Sequence, residues 1–148
     1  MTSRPQGPAT VLVVEDDVLI KLGAINAIED EGYLTLWACD ADEALLALGA
    51  HPEIDVLFTD IRMPGSMDGL ALANVAARAH PQMAIIIASG NSRPTVGQMP
   101  AHAKFLSKPY SPVQVGDILR GVIDQTRGQH GHQQDRRTQA EDPRGIAQ

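Results

Sequence analysis

The chain has 148 residues, of which 43% are hydrophobic, 20% charged and 3% aromatic; this suits one domain around an aliphatic core and excludes compositional disorder. Eighteen acidic against twelve basic residues leave a net charge of −6, which argues against nucleic acid as a partner, and the single cysteine, Cys39, excludes an internal disulfide framework or a cysteine-based zinc site. No apolar run approaches the roughly 20 residues of a membrane span, and the N-terminus lacks the apolar stretch of a secretory signal, so a soluble, cytoplasmic chain with no membrane contact is expected.

Residues 1–9, with Pro5, Gly7 and Pro8, read as a flexible leader. Val11-Leu12-Val13-Val14 is a short apolar run rich in β-branched residues, the pattern of a strand covered on both faces. Ile20, Gly23, Ala24, Ala27 and Ile28 then fall at i, i+3, i+4, i+7 and i+8, one stripe of a helix that Asp17 caps and Gly32 stops. Residues 33–38 read as a second strand, and Asp40 with Glu43 three positions on is a capping-box variant that opens a helix to about Ala50. Trp37 and Cys39, at the end of that strand, read as packing or edge residues.

Val56-Leu57-Phe58-Thr59 is a third buried strand, followed by an apolar-rich helix over residues 69–79. Ala84-Ile85-Ile86-Ile87-Ala88 is a fourth strand and Lys104-Phe105-Leu106-Ser107 a short fifth. Between them Pro94, Gly97 and Pro100 should reduce the fourth helix to a turn or a loop. Ser111, Pro112 and Gln114 stand at N-cap, N1 and N3 of a last helix, with Val115, Ile118, Leu119 and Val122 as its buried stripe. The folded span, residues 10–127, holds 15 acidic and 8 basic residues and carries the acidity. Residues 128–148 are polar throughout and are expected to form a disordered tail. Its two histidines, His130 and His132, do not by themselves make a metal site.

Strands alternating with helices imply a parallel sheet with right-handed crossovers and helices on both faces. Ligands of such sheets bind at the carboxyl ends of the strands. Glu15, Asp16 and Asp17 follow the first strand, Asp60 the third, Ser89 the fourth and Lys108 the fifth. Taken singly, each has a plain structural reading as a turn former, cap or solvated residue. Their coincidence on one rim points to chemistry. Carboxylates converging there repel by about 1–4 kcal/mol per pair at 4 Å, and the cation best suited to relieve them is Mg²⁺, which is hard and prefers oxygen. With the Lys108 ammonium and the Ser89 hydroxyl added, the set makes a receptor for a phosphoryl group, in which Asp60 is the nucleophile and an acyl phosphate the product.

The constellation resembles the response-regulator receiver domain of two-component signalling, over residues 10–124. The motifs that carry the resemblance are Val11-Leu12-Val13-Val14-Glu15-Asp16-Asp17, Phe58-Thr59-Asp60-Ile61-Arg62-Met63-Pro64, Met67-Asp68-Gly69-Leu70, Ala88-Ser89-Gly90 and Lys108-Pro109. It implies a flavodoxin-like (CheY-like) sheet of five parallel strands in the order 2-1-3-4-5. It further implies Asp60 as phosphoacceptor, and Glu15, Asp16, Asp60 and the backbone carbonyl of Arg62 as Mg²⁺ ligands. Ser89 is the implied switch hydroxyl, Lys108 the phosphate-pairing cation, Phe105 the aromatic that moves between exposed and buried, and Lys108–Pro109 a cis bond. The implied partners are a sensor histidine kinase or a histidine phosphotransfer protein, and a downstream protein that the sequence does not identify; a homodimer is left open.

Two departures stand out. Gly65-Ser66 makes the loop after the phosphosite one residue longer than is common, and residues 90–103 depart from a regular fourth helix. With the Lys108-Pro109-Tyr110 wording, both resemble a branch of single-domain receivers of alphaproteobacteria. No effector motif follows, so a stand-alone regulator acting by protein contact is expected, the alternatives being a phosphate sink or shuttle and a pseudo-receiver binding module. A haloacid-dehalogenase-type phosphatase requires an acid two residues past the nucleophile, where this chain has Arg62. A dinucleotide or FMN site requires a glycine- or hydroxyl-rich loop where it has Glu15-Asp16-Asp17. The change on phosphorylation is expected to concentrate in residues 92–102.

Overall fold

The computed structural model describes residues 7–91 and 93–141, with side chains described as far as Arg127. Its elements in chain order are β1 (Thr10–Val14), α1 (Val18–Asp30), β2 (Leu34–Ala38), α2 (Ala41–Ala50), β3 (Ile54–Asp60), α3 (Gly69–Ala79), β4 (Ala84–Ser89), a 3₁₀ turn (Val96–Gln98), β5 (Lys104–Ser107) and α4 (Pro112–Glu141). The strands form one parallel sheet in the order β2-β1-β3-β4-β5. This is the flavodoxin-like order that the resemblance implied.

Strands buried on both faces need cover on both, and the alternation of apolar side chains supplies two cores. Val11, Val13, Val56, Phe58 and Ile86 point to α1 and α4, meeting Ala24, Ile28, Val115 and Leu119. Leu12, Val14, Leu57, Ile85 and Ile87 point the other way, to α2 and α3, meeting Ala44, Leu48, Leu72 and Ala76. The caps follow the expected chemistry. Asp17 accepts from the N–H groups of Leu19 and Ile20, Asp40 from that of Glu43, and Ser111 exchanges side-chain bonds with Gln114 in a complete capping box. The Glu43 side chain returns to Cys39 N–H instead of to Asp40 N–H, which is how that box is a variant.

Between β4 and β5 the proline- and glycine-broken segment keeps one 3₁₀ turn where a regular helix could stand. It is tied down by Asn74 of α3, whose Nδ2 donates to Gln98 O at 2.9 Å.

The structure corrects the buried face of α1. Lys21, Ala24, Ile25, Ala27 and Ile28 are buried, whereas Gly23 is exposed and Ile20 is 36% exposed. The helix is apolar almost all round, with Val18, Leu19 and Leu22 also exposed, so its periodicity leaves the inward face underdetermined. The ends also differ in detail. Ala9, placed in the leader, is fully buried, and its carbonyl accepts from Leu34 N–H at 2.9 Å. The α4 backbone continues helically to Glu141, past the position where the polar tail was expected to begin. Residues 1–6 of the leader and 142–148 of the tail lie outside the described residues, as do the side chains beyond Arg127. Among the described residues no helix is long and apolar enough to cross a membrane.

Candidate functional site

Parallel strands end on one rim, and sheet register decides which residues arrive there together. Asp60 closes β3, paired with Ala88, and Ser89 closes β4 one position farther along, paired with Ser107. Both are strand residues, one step earlier than a loop position would be, which is why they are buried at 8% and 4% exposure. Lys108 follows β5 directly, its N–H bonded to Ser89 O at 3.0 Å, and the Lys108–Pro109 bond is cis.

On the other side of β3, β1 ends at Val14 and the chain turns into α1. Glu15 N–H donates to Ala38 O, and Asp17 N–H donates to Glu15 Oε2 at 3.1 Å. With Asp17 committed to the cap, Glu15 and Asp16 remain for the rim.

The side chains meet. Lys108 Nζ lies 2.8 Å from Glu15 Oε1 and 3.1 Å from Asp60 Oδ1. Glu15, Asp16 and Asp60 each offer a carboxylate oxygen, all within 4.8 Å of one another, with Asp16 exposed and the other two buried. Burial pushes the Glu15 carboxyl above the ordinary glutamate range; its bonds from Lys108 and Asp17 N–H pull it down without cancelling that effect, and Asp60 pushes it further up. Burial also works against the Lys108 ammonium, yet its hydrogen bonds to Glu15 and Asp60 outweigh this and hold its pKa above the usual lysine value. Three carboxylates and one ammonium leave the rim formally negative. A set of acceptor-only oxygens of this kind fits a hard divalent cation.

Arg62 lies in the loop two residues past Asp60. Phe105, half-buried on β5, carries the guanidinium of Arg93 over its ring, 4.9 Å from the centroid. Tyr110 packs edge-on against Phe58 with ring centroids 5.7 Å apart, and burial pushes its phenol up to about 12. The longer loop after β3 turns at Gly65 (φ +108°) and rests on the start of α2, where Ser66 Oγ donates to Asp42 Oδ1 at 3.1 Å.

Gly69 belongs to one of the motifs, yet the sequence assigns it no task. A Cβ built there stands 1.7 Å from Asp60 O and 2.9 Å from Thr59 Oγ1, so α3 can begin against the Asp60 backbone only with glycine at this position. The close approach is held by Gly69 N–H bonded to Ile61 O at 2.8 Å and by Thr59 Oγ1 bonded to Asp60 O at 2.9 Å. A signal was present: glycine directly after a capping Asp has no helix-propensity rationale.

Residues 11–120 match the family model described as the response regulator receiver domain. The chain belongs to that family. It is 34% identical to "Sensor kinase CckA" of Brucella abortus over 80% of this chain and 13% of that protein, and 34% identical to "Nitrogen assimilation regulatory protein NtrX" of Azorhizobium caulinodans over 79% and 26%. This receiver thus spans about a quarter or less of the length of these two curated relatives. Among solved structures, the receiver domain of NtrX from Brucella abortus superimposes with a TM-score of 0.71 at 30% identity, covering 77% of this chain and 98% of that one.

Proposed function

We propose that this receiver accepts a phosphoryl group on Asp60 from a phosphohistidine of a sensor histidine kinase or a histidine phosphotransfer protein, and signals by phosphorylation-dependent contact with another protein in the cytoplasm. The observation that carries the reading is the Lys108 ammonium 3.1 Å from Asp60 Oδ1, with the carboxylates of Glu15 and Asp16 in reach of the same point. An Asp60 oxygen attacks phosphorus in line as the P–N bond to the donor histidine breaks, and the product is an acyl phosphate; the domain is an acceptor, not a turnover enzyme.

Glu15, Asp16, Asp60 and the Arg62 carbonyl would hold Mg²⁺. The chemistry a bound Mg²⁺ supplies there is neutralisation of charge on the transferring oxygens. Lys108, already paired with Asp60, is placed to follow the new phosphoryl charge, and the Ser89 hydroxyl supplies a donor on the β4 side. The acyl phosphate replaces the single negative charge of the Asp60 carboxylate with about two, spread over the phosphoryl oxygens, which draws both groups toward it. Withdrawal of Ser89 opens space for Phe105, and the stacked Arg93 passes that movement to the 93–102 segment.

Purified protein mixed with acetyl phosphate and Mg²⁺ is expected to take up one phosphoryl group, stable in acid and labile in base, and Asp60→Asn to take up none. Uptake undiminished in Asp60→Asn would refute the assignment.

A further inference from the structure

Cys39 is exposed at the junction of β2 and α2, a position where a thiol by itself signifies nothing. A second observation sets it apart. Lys21 on α1 is 7% exposed, and its ammonium has no carboxylate partner among the described residues; its Nζ is aimed at Cys39 Sγ, 3.2 Å away. A lysine stem ordinarily carries its charge out to water. Here the amine is held inside, against a sulfur that faces solvent on its other side.

Both ends are anchored. Lys21 N–H closes the first turn of α1 on Asp17 O at 2.9 Å, and Cys39 N–H is fastened to Glu43 Oε1 at 2.7 Å. The two main chains are therefore fixed, and only side-chain torsions remain to carry nitrogen and sulfur from 3.2 Å to bonding distance.

We propose that Lys21 and Cys39 are a modification site, forming a covalent N–S bridge when the protein meets a hydroperoxide. The thiol first attacks the peroxide: the O–O bond breaks, an S–O bond forms, two electrons pass from sulfur to the peroxide, and hydrogen peroxide leaves as water. Cys39 is then a sulfenic acid, which condenses with nitrogen nucleophiles. Lys21, having released its ammonium proton to solvent, attacks sulfur through Nζ. The N–S bond forms as the S–O bond breaks, and the hydroxyl leaves as water with the second amine proton. Thiol, amine and peroxide thus become a sulfenamide and two waters. The bridge ties the first turns of α1 to the residue after Ala38, whose carbonyl holds Glu15 N–H. It involves none of the side chains of the proposed phosphoacceptor cluster.

The test treats the full chain with hydrogen peroxide and reads intact mass, then digests it and maps the peptides. The expected product is lighter by two hydrogen atoms, joins the Cys39 and Lys21 peptides, resists iodoacetamide and is reopened by dithiothreitol. Lys21→Arg is expected to gain only whole oxygen atoms at Cys39, and Cys39→Ser to form no bridge. Wild-type protein that gains only oxygen at Cys39, or that links two copies through a disulfide, would overturn the proposal whatever the variants do.

Discussion

Replacing Gly69 by alanine tests whether the backbone at Asp60 is built around a missing side chain. In an ordinary helix the change stabilises by about 0.5–1 kcal/mol, because alanine loses less backbone entropy. At this position the new Cβ meets Asp60 O at 1.7 Å, Asp60 C at 2.7 Å and Thr59 Oγ1 at 2.9 Å. Two of these atoms are backbone at the end of a central strand, so no rotamer change removes the overlap. Either α3 retreats by roughly 1.5 Å to restore ordinary contact, losing the bond from Gly69 N–H to Ile61 O, or the end of β3 shifts. Overpacking of this kind costs about 1–3 kcal/mol and a lost buried hydrogen bond about 1 more; set against the entropic gain of alanine, the net destabilisation is roughly 1–3.5 kcal/mol. At a urea m-value of about 2 kcal/mol/M, the middle of the usual range, the midpoint should fall by roughly 0.5–2 M with m unchanged. Gly121→Ala is the control: a Cβ built at that position on α4 has nothing within 4 Å, so a small gain in stability is expected. A Gly69→Ala midpoint equal to or above wild type would refute the reasoning.

Lys108→Met leaves Glu15 and Asp60, whose side chains are 5% and 10% exposed, without their shared cation. A loss of about 3 kcal/mol in urea unfolding is expected, along with a fall of about 100-fold in the rate of phosphoryl uptake from acetyl phosphate; a rate within twofold of wild type would contradict the pairing role. The raised Glu15 pKa has a definite sign. Its carboxyl binds a proton more readily folded than unfolded, so its contribution to stability is full below the unfolded value of about 4.3 and is lost as pH rises through the higher folded value. Metal-free thermal melts should show that loss, Mg²⁺ should restore stability above the window but not below it, and Glu15→Gln should flatten the profile; matching wild-type and Glu15→Gln profiles would count against it. Hydrogen exchange with and without beryllofluoride as phosphoryl mimic should change protection in residues 93–102, and identical protection in both states would remove that segment from the switch.

Much of the fold was legible because local signals agreed with one another. Continuous apolar runs, capping residues and the breakers Pro94, Gly97 and Pro100 each pointed to the element that the structure contains. The α1 face was not legible, because Val18, Leu19, Ile20 and Leu22 are as apolar as the residues that go inside. The site's composition could be read from the motifs, but its contacts join residues as far apart as Glu15 and Lys108, 93 positions in sequence. The tasks of Gly69 and of the Lys21–Cys39 pair left little trace in the pattern, since one depends on a main chain passing close by and the other on two elements meeting.

By itself the sequence determined which segments become strands and helices, which strand ends bear carboxylates, hydroxyl and amine, and that a regular helix is lost between β4 and β5. Those outcomes depend on periodicity, turn chemistry and propensity, all of which act over a few residues. Only the tertiary structure decided that Lys108 bridges Glu15 and Asp60, that α3 starts against Asp60 O, and that Lys21 turns inward to Cys39. Such distances come from sheet register and from how each helix settles on its face, and many side-chain arrangements satisfy the same local pattern before packing selects one.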